Sequence, residues 1–124
     1  MLEIDRAFVA MALLWAIAGM LLGLYMGIAA DNKLLVMHVA LMLTGFVTLA
    51  LYGILYRLWP AMAKSPLARV QFWVSSLSAA GIIVGSYFFA TRGSVPLVAT
   101  SSLIFIGGAA LMAWLFIAKA RDAT

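Results

Sequence analysis

The segment Leu34–Tyr56 reads LLVMHVALMLTGFVTLALYGILY, 23 residues without a charged side chain. A helix rises about 1.5 Å per residue, so a run of this length crosses a hydrocarbon core of about 30 Å with some tilt. The run shows no strand-like alternation, and isolated strands in lipid would leave backbone N–H and C=O groups unpaired. Three more uncharged runs surround it, Ala7–Ala30, Val70–Thr91 and Gly93–Ala118, and the four are 22 to 26 residues long. The expectation is an all-α membrane protein, a single domain over residues 1–124. Its four transmembrane helices, near 7–30, 34–57, 70–91 and 95–118, form an antiparallel bundle.

Composition agrees. Of the 124 residues, 67% are hydrophobic and 10% charged, whereas charged residues make up about 25% of soluble domains. The absence of cysteine excludes disulfides, thiolate metal sites and thioether-linked haem. A net charge of +4 does not point to nucleic acid, because the basic residues sit singly at helix ends, where they serve topology and anionic headgroups. A cleavable signal peptide is the rival reading of the first run. That run is too long, and its leader Glu3-Ile4-Asp5-Arg6 is not basic, so a retained helix is expected.

Lys and Arg divide unevenly between the two sides. Arg6, Arg57, Lys64, Arg69, Lys119 and Arg121 fall on one, Lys33 and Arg92 on the other. Six against two places both termini in the cytoplasm, in a multi-pass protein of the inner (cytoplasmic) membrane. Trp59 and Trp73 flank the longest loop, Arg57–Arg69, which holds Pro60 and Pro66. The outer links, Asp31-Asn32-Lys33 and about Arg92–Val95, are short enough to force antiparallel neighbours. Gly19, Gly23 and Gly27 form one stripe on helix 1, and Ser75, Ser76, Ser78, Gly81 and Gly85 a second on helix 3. Both read as close helix contacts.

The four acids, Glu3, Asp5, Asp31 and Asp122, lie at or beyond helix ends. Small multidrug-resistance exporters share the size and helix count, but that resemblance would require a glutamate inside helix 1, and none lies between Ala7 and Ala30. The four tyrosines have no base or acid beside them in the sequence, and the eight methionines are dispersed rather than paired for copper. His38, the one histidine, follows Lys33 by five residues, roughly 7 Å below the outer interface. Its imidazole is either a haem-iron ligand or a group bonded across helices or toward headgroups.

The segment His38-Val39-Ala40-Leu41-Met42-Leu43-Thr44-Gly45-Phe46-Val47, continuing to Leu51-Tyr52-Gly53 and Trp59-Pro60-Ala61, resembles helix II of the haem-copper oxidase subunit I superfamily. That superfamily includes the nitric oxide reductase large subunits. The glycine-rich Trp15–Gly27 is similar to helix I, and the likeness covers residues 7–62. The chain looks most like small four-helix relatives of subunit I. The resemblance implies a b-type haem held by His38, with Met42 completing the His-x-x-x-Met pattern. On a regular helix, His38, Leu41, Met42, Gly45, Leu49 and Tyr52 share a stripe, with room for a porphyrin over Gly45 or for a neighbouring helix there. Lys33 and Arg92 would face the propionates, or serve topology alone.

A full subunit I needs six ligand histidines, and this chain has one. Oxygen or nitric oxide reduction by this chain alone is therefore excluded. Ala40 stands where small relatives often carry a second histidine. The expected function is a small respiratory-type electron-transfer protein in the lipid bilayer, a homo-oligomer or part of a larger respiratory complex, with a second haem ligand from another copy or a partner. The alternative is a cofactor-free structural or assembly subunit of such a complex.

Overall fold

The computed structural model describes residues 3–120. Arg121, counted above on one face, and Asp122, placed above at or beyond a helix end, lie outside the described residues. Four helices long and apolar enough to cross a membrane follow one another: α1 (Ile4–Ala29), α2 (Leu35–Leu58), α3 (Pro66–Arg92) and α4 (Pro96–Lys119). No strand occurs among the described residues. The all-α, four-span expectation holds, with helix ends within a few residues of those read from the charges.

The largest boundary difference is at α3, which begins at Pro66 rather than near residue 70. Pro66 takes the first helical position, where its missing N–H is no loss, and the Ser65 hydroxyl accepts from the Leu67 N–H at 3.3 Å. Pro60–Lys64 form a 3-10 turn, so the loop is tighter than the charge pattern suggested.

Contacts fix the antiparallel order. Phe8 meets Tyr52 and Tyr56, and Gly45 meets Trp15, so α2 descends as α1 ascends. Likewise Gly81 faces Ser101, Gly85 faces Val98 and Gly108 faces Ser75, which pairs α3 with α4 in the same sense. The result is two helical hairpins, with α3 also touching α1 and α2 and the most enclosed of the four.

The core is mainly apolar, but the buried polar side chains concentrate on α3, and the outer surface is apolar. Gln71, Ser75, Ser76, Ser78 and Ser86 are buried on α3, while Leu13, Leu21, Leu24 and Ile28 on α1 and Leu103, Ile106 and Ile117 on α4 are exposed. Such a surface suits hydrocarbon, where a polar side chain facing outward would stay unpaired. Within the bundle Gln71 links several polar groups. The Tyr56 hydroxyl donates to Gln71 Oε1 at 3.0 Å, and Gln71 Nε2 donates to Ser75 Oγ at 3.0 Å and to the Gly108 carbonyl at 3.4 Å. One amide thereby ties α2, α3 and α4.

Around it lies an aromatic knot. Phe8 stacks on Tyr56 with centroids 5.7 Å apart and meets Tyr52 and Phe72 edge-on at 5.6 and 4.8 Å. Each such pair contributes about 0.5–1.5 kcal/mol beyond burial.

Replacing Gln71 with Leu should lower unfolding stability in mixed detergent by about 1–2 kcal/mol, because it strands the Tyr56 hydroxyl and frees a backbone carbonyl. Ser102→Ala, which removes only a bond to the Val98 carbonyl one turn back, should change little. Wild-type stability in Gln71→Leu would show that the amide is not a structural tie.

Candidate functional site

The contact between α1 and α2 carries the residues singled out from the sequence. Helix α2 is not uniform. Leu35–Ala40 and Leu49–Leu58 are α-helical, and Leu41–Thr48 form an eight-residue π-helix between them. The regular helix expected over this run is interrupted here by the π segment. The Thr48 hydroxyl donates to the Leu43 carbonyl, five residues back, at 2.8 Å. Its spacing is that of the π ladder, and it adds a side-chain donor to the wide turn. Gly45, at the middle of the π segment, has the Trp15 side chain directly against it: a Cβ there would lie 2.8 Å from Trp15 Cβ and Cγ.

Two glycines of α1 act as notches for side chains of α2. A Cβ at Gly23 would stand 2.9 Å from His38 Cε1, and one at Gly19 would collide with the Met42 sulfur. Gly27, third in the stripe, has nothing within 4 Å. The expected close approach is thus real at two of the three glycines, and what enters is a side chain rather than a backbone. The half-buried His38 presents Cε1 to Gly23, with Nδ1 and Nε2 to either side. Of the two nitrogens, only Nδ1 is both sealed and without a hydrogen-bond partner among the described residues. Trp15 Nε1 and Ser76 Oγ share that condition.

These contacts lie on the stripe expected to face a porphyrin or a neighbouring helix. The face running from His38 through Met42 to Gly45 is the face that α1 covers. The imidazole lies in the Gly23 notch, the thioether in the Gly19 notch, and the indole over Gly45. The room over Gly45 expected from a regular helix is filled by Trp15. Within one chain, the second option is observed: a neighbouring helix closely approaches Gly45.

Lys33 and Arg92 lie at the same end of the bundle as His38, but both are exposed and neither pairs with a described acid. The Lys33 backbone N–H donates to Asp31 Oδ1 at 2.9 Å, and the Arg92 guanidinium lies 5.3 Å from the centre of the Phe88 ring. The structure therefore brings His38, Met42 and Gly45 together against α1 and leaves the two cations apart from them. Trp15 and Gln71 were missed from the sequence as functional positions. Gln71 carried a signal, being the chain's one glutamine and lying inside an apolar run. Trp15 carried none, since its role depends on which glycine of α2 comes opposite.

The notch predicts a coupling between two residues. Gly23→Ala should destabilise, while Gly27→Ala, which meets open space, should be neutral or stabilise by up to about 1 kcal/mol through helix propensity. His38→Ala in the Gly23→Ala background should recover much of the loss, a coupling of about 0.5–2 kcal/mol in a double-mutant cycle. Strict additivity would mean that the imidazole does not occupy the notch. No family model, curated protein or solved structure matches this chain, so what the site does must be argued from its own residues.

Proposed function

We propose that this chain is a structural or assembly subunit of a larger membrane complex, of the respiratory type that its first two helices resemble. In this reading His38 works as a packing residue rather than a cofactor ligand. The observation that carries it is the close α1–α2 contact: His38 and Met42 seat at Gly23 and Gly19, and Trp15 seats at Gly45. Two further features support it. Glu3, Asp5 and Asp31, the acids among the described residues, sit at helix ends, so no carboxylate is placed for proton-coupled transport. The outer faces of α1 and α4 present long apolar surfaces of the kind a neighbouring subunit or lipid covers.

A second reading is favoured by one atom. A sealed His38 Nδ1 without a hydrogen bond is an imidazole whose bonding is incomplete, a deficit of about 1–3 kcal/mol. Held by histidines of two copies, a b-type haem would supply electron transfer, but the imidazole would first have to leave the Gly23 notch.

A visible spectrum of detergent-purified protein, oxidised and then reduced with dithionite, separates the two. The subunit reading expects no b-type bands in wild type, and the same absence in His38→Ala. Reduced b-type bands that vanish in His38→Ala would overturn it and establish the haem reading.

The orientation proposed with this function, both termini cytoplasmic, follows from the Lys and Arg asymmetry. A reporter inserted at Asn32 should read outside, and one within residues 61–66 cytoplasmic. The reverse pattern would invert the bundle and move His38 to the inner leaflet.

A further inference from the structure

At the end of the bundle opposite His38, the start of α1, the end of α2, the 3-10 turn and the start of α3 border a half-open cavity of about 640 Å³. Its volume is typical of small-ligand sites, which run from about 300 to 1,000 Å³. Arg57, Lys64 and Arg69 line it together with Glu3 and Asp5, and Ile4, Pro60, Ala63 and Pro66 supply apolar walls. Every wall is a helix terminus or the connecting turn. In helices of 24 to 27 residues these termini reach the headgroup layer of a bilayer whose core is about 30 Å thick.

We propose that this cavity binds the phosphodiester headgroup of a glycerophospholipid. Three cations against two carboxylates leave one positive charge, which matches the single negative charge of a phosphodiester. A phosphomonoester or free phosphate, carrying about 1.5 to 2 negative charges, would instead be set against Glu3 and Asp5. The apolar walls suit the glycerol and first acyl carbons, which free phosphate lacks.

Recognition falls to side chains, because the positive end of α3 has no spare donors in its first residues. Pro66 has no N–H, Leu67 N–H is held by Ser65 Oγ, and Ala68 N–H by the Ser65 carbonyl at 3.0 Å. Arg57 is available despite its partner. Its contact with Asp5 is long, at 3.6 Å, and the Arg57 side chain is 75% exposed, a pairing that holds the guanidinium weakly. Lys64 is exposed on the turn and brings a mobile ammonium, and an arginine fork adds bidentate geometry for phosphate oxygens.

The test measures thermal stabilisation of the purified full chain in neutral detergent against dioctanoyl-phosphatidylglycerol, dioctanoylglycerol and inorganic phosphate. Phosphatidylglycerol should stabilise saturably, and the other two should not. Lys64→Gln should weaken the apparent affinity about tenfold, Lys64→Arg should restore it, and Arg57→Gln with Lys64→Gln should weaken it further. Lys33→Gln, at the other end of the bundle, should leave it unchanged. Equal stabilisation by dioctanoylglycerol would show that acyl chains alone are recognised, and saturable stabilisation by inorganic phosphate would show a free-anion site. Either result, or an unchanged affinity in Lys64→Gln, overturns the proposal.

Discussion

In hydrocarbon, two helices gain little by burying leucine against leucine, because lipid offers the same contact. What holds them is close approach and paired polar groups. In this protein close approach is supplied at one seam by the missing side chains of Gly19, Gly23 and Gly45. The first two admit Met42 and His38 into α1, and the third admits Trp15 into α2. The notches thus run in both directions across the seam. The π-helical turn over Leu41–Thr48 lies at the level where the indole enters, and a wide turn is where a helix tolerates an inserted bulky neighbour. The packing and the irregular backbone are two aspects of the same contact.

The α3–α4 seam uses polar groups instead. Gly81 faces the Ser101 hydroxyl and Gly108 faces that of Ser75, while Gln71 spans to both α2 and α4. The Ser78 hydroxyl donates back to the Val74 and Ser75 carbonyls of its own helix, which satisfies it without a partner. Enclosed α3 therefore carries the polarity, and the outer helices carry the leucines and isoleucines that face lipid. A chain organised in this way places its specificity in its helix contacts.

Much of the fold was legible because charge is forbidden in the hydrocarbon core: twelve charged residues alone bounded the four spans. The stripe Gly19, Gly23, Gly27 correctly marked a seam on α1, but spacing does not tell what enters a notch, and Gly27 proved open. The helical stripe from His38 to Gly45 was also readable as a face. Whether that face meets a helix or a cofactor depends on the rotation of α1, which one sequence does not encode locally. The π turn was hidden for the same reason, since Thr44, Gly45 and Thr48 are ordinary in an apolar helix. The cavity at the Glu3 end of the bundle was invisible because it joins Glu3 and Asp5 to Arg57 and Arg69 through tertiary packing alone.

The functional account rests on α1 covering the His38–Gly45 face of α2 in the membrane itself. The chain has no cysteine, so an introduced pair reports without background. A Cβ at Gly19 would lie 3.3 Å from Leu41 Cβ, slightly below the separation of about 3.5–4.5 Å found in disulfides. With Met42→Ala added to remove the sulfur that a Cβ at Gly19 would strike, mild oxidation of Gly19→Cys/Leu41→Cys in native membranes should give an intrachain cross-link with high yield, whereas Gly27→Cys/Leu41→Cys in the same background should give none. Absence of the cross-link in the first variant, or cross-linking only between chains, would mean that the face is open and that the closed-seam account is wrong.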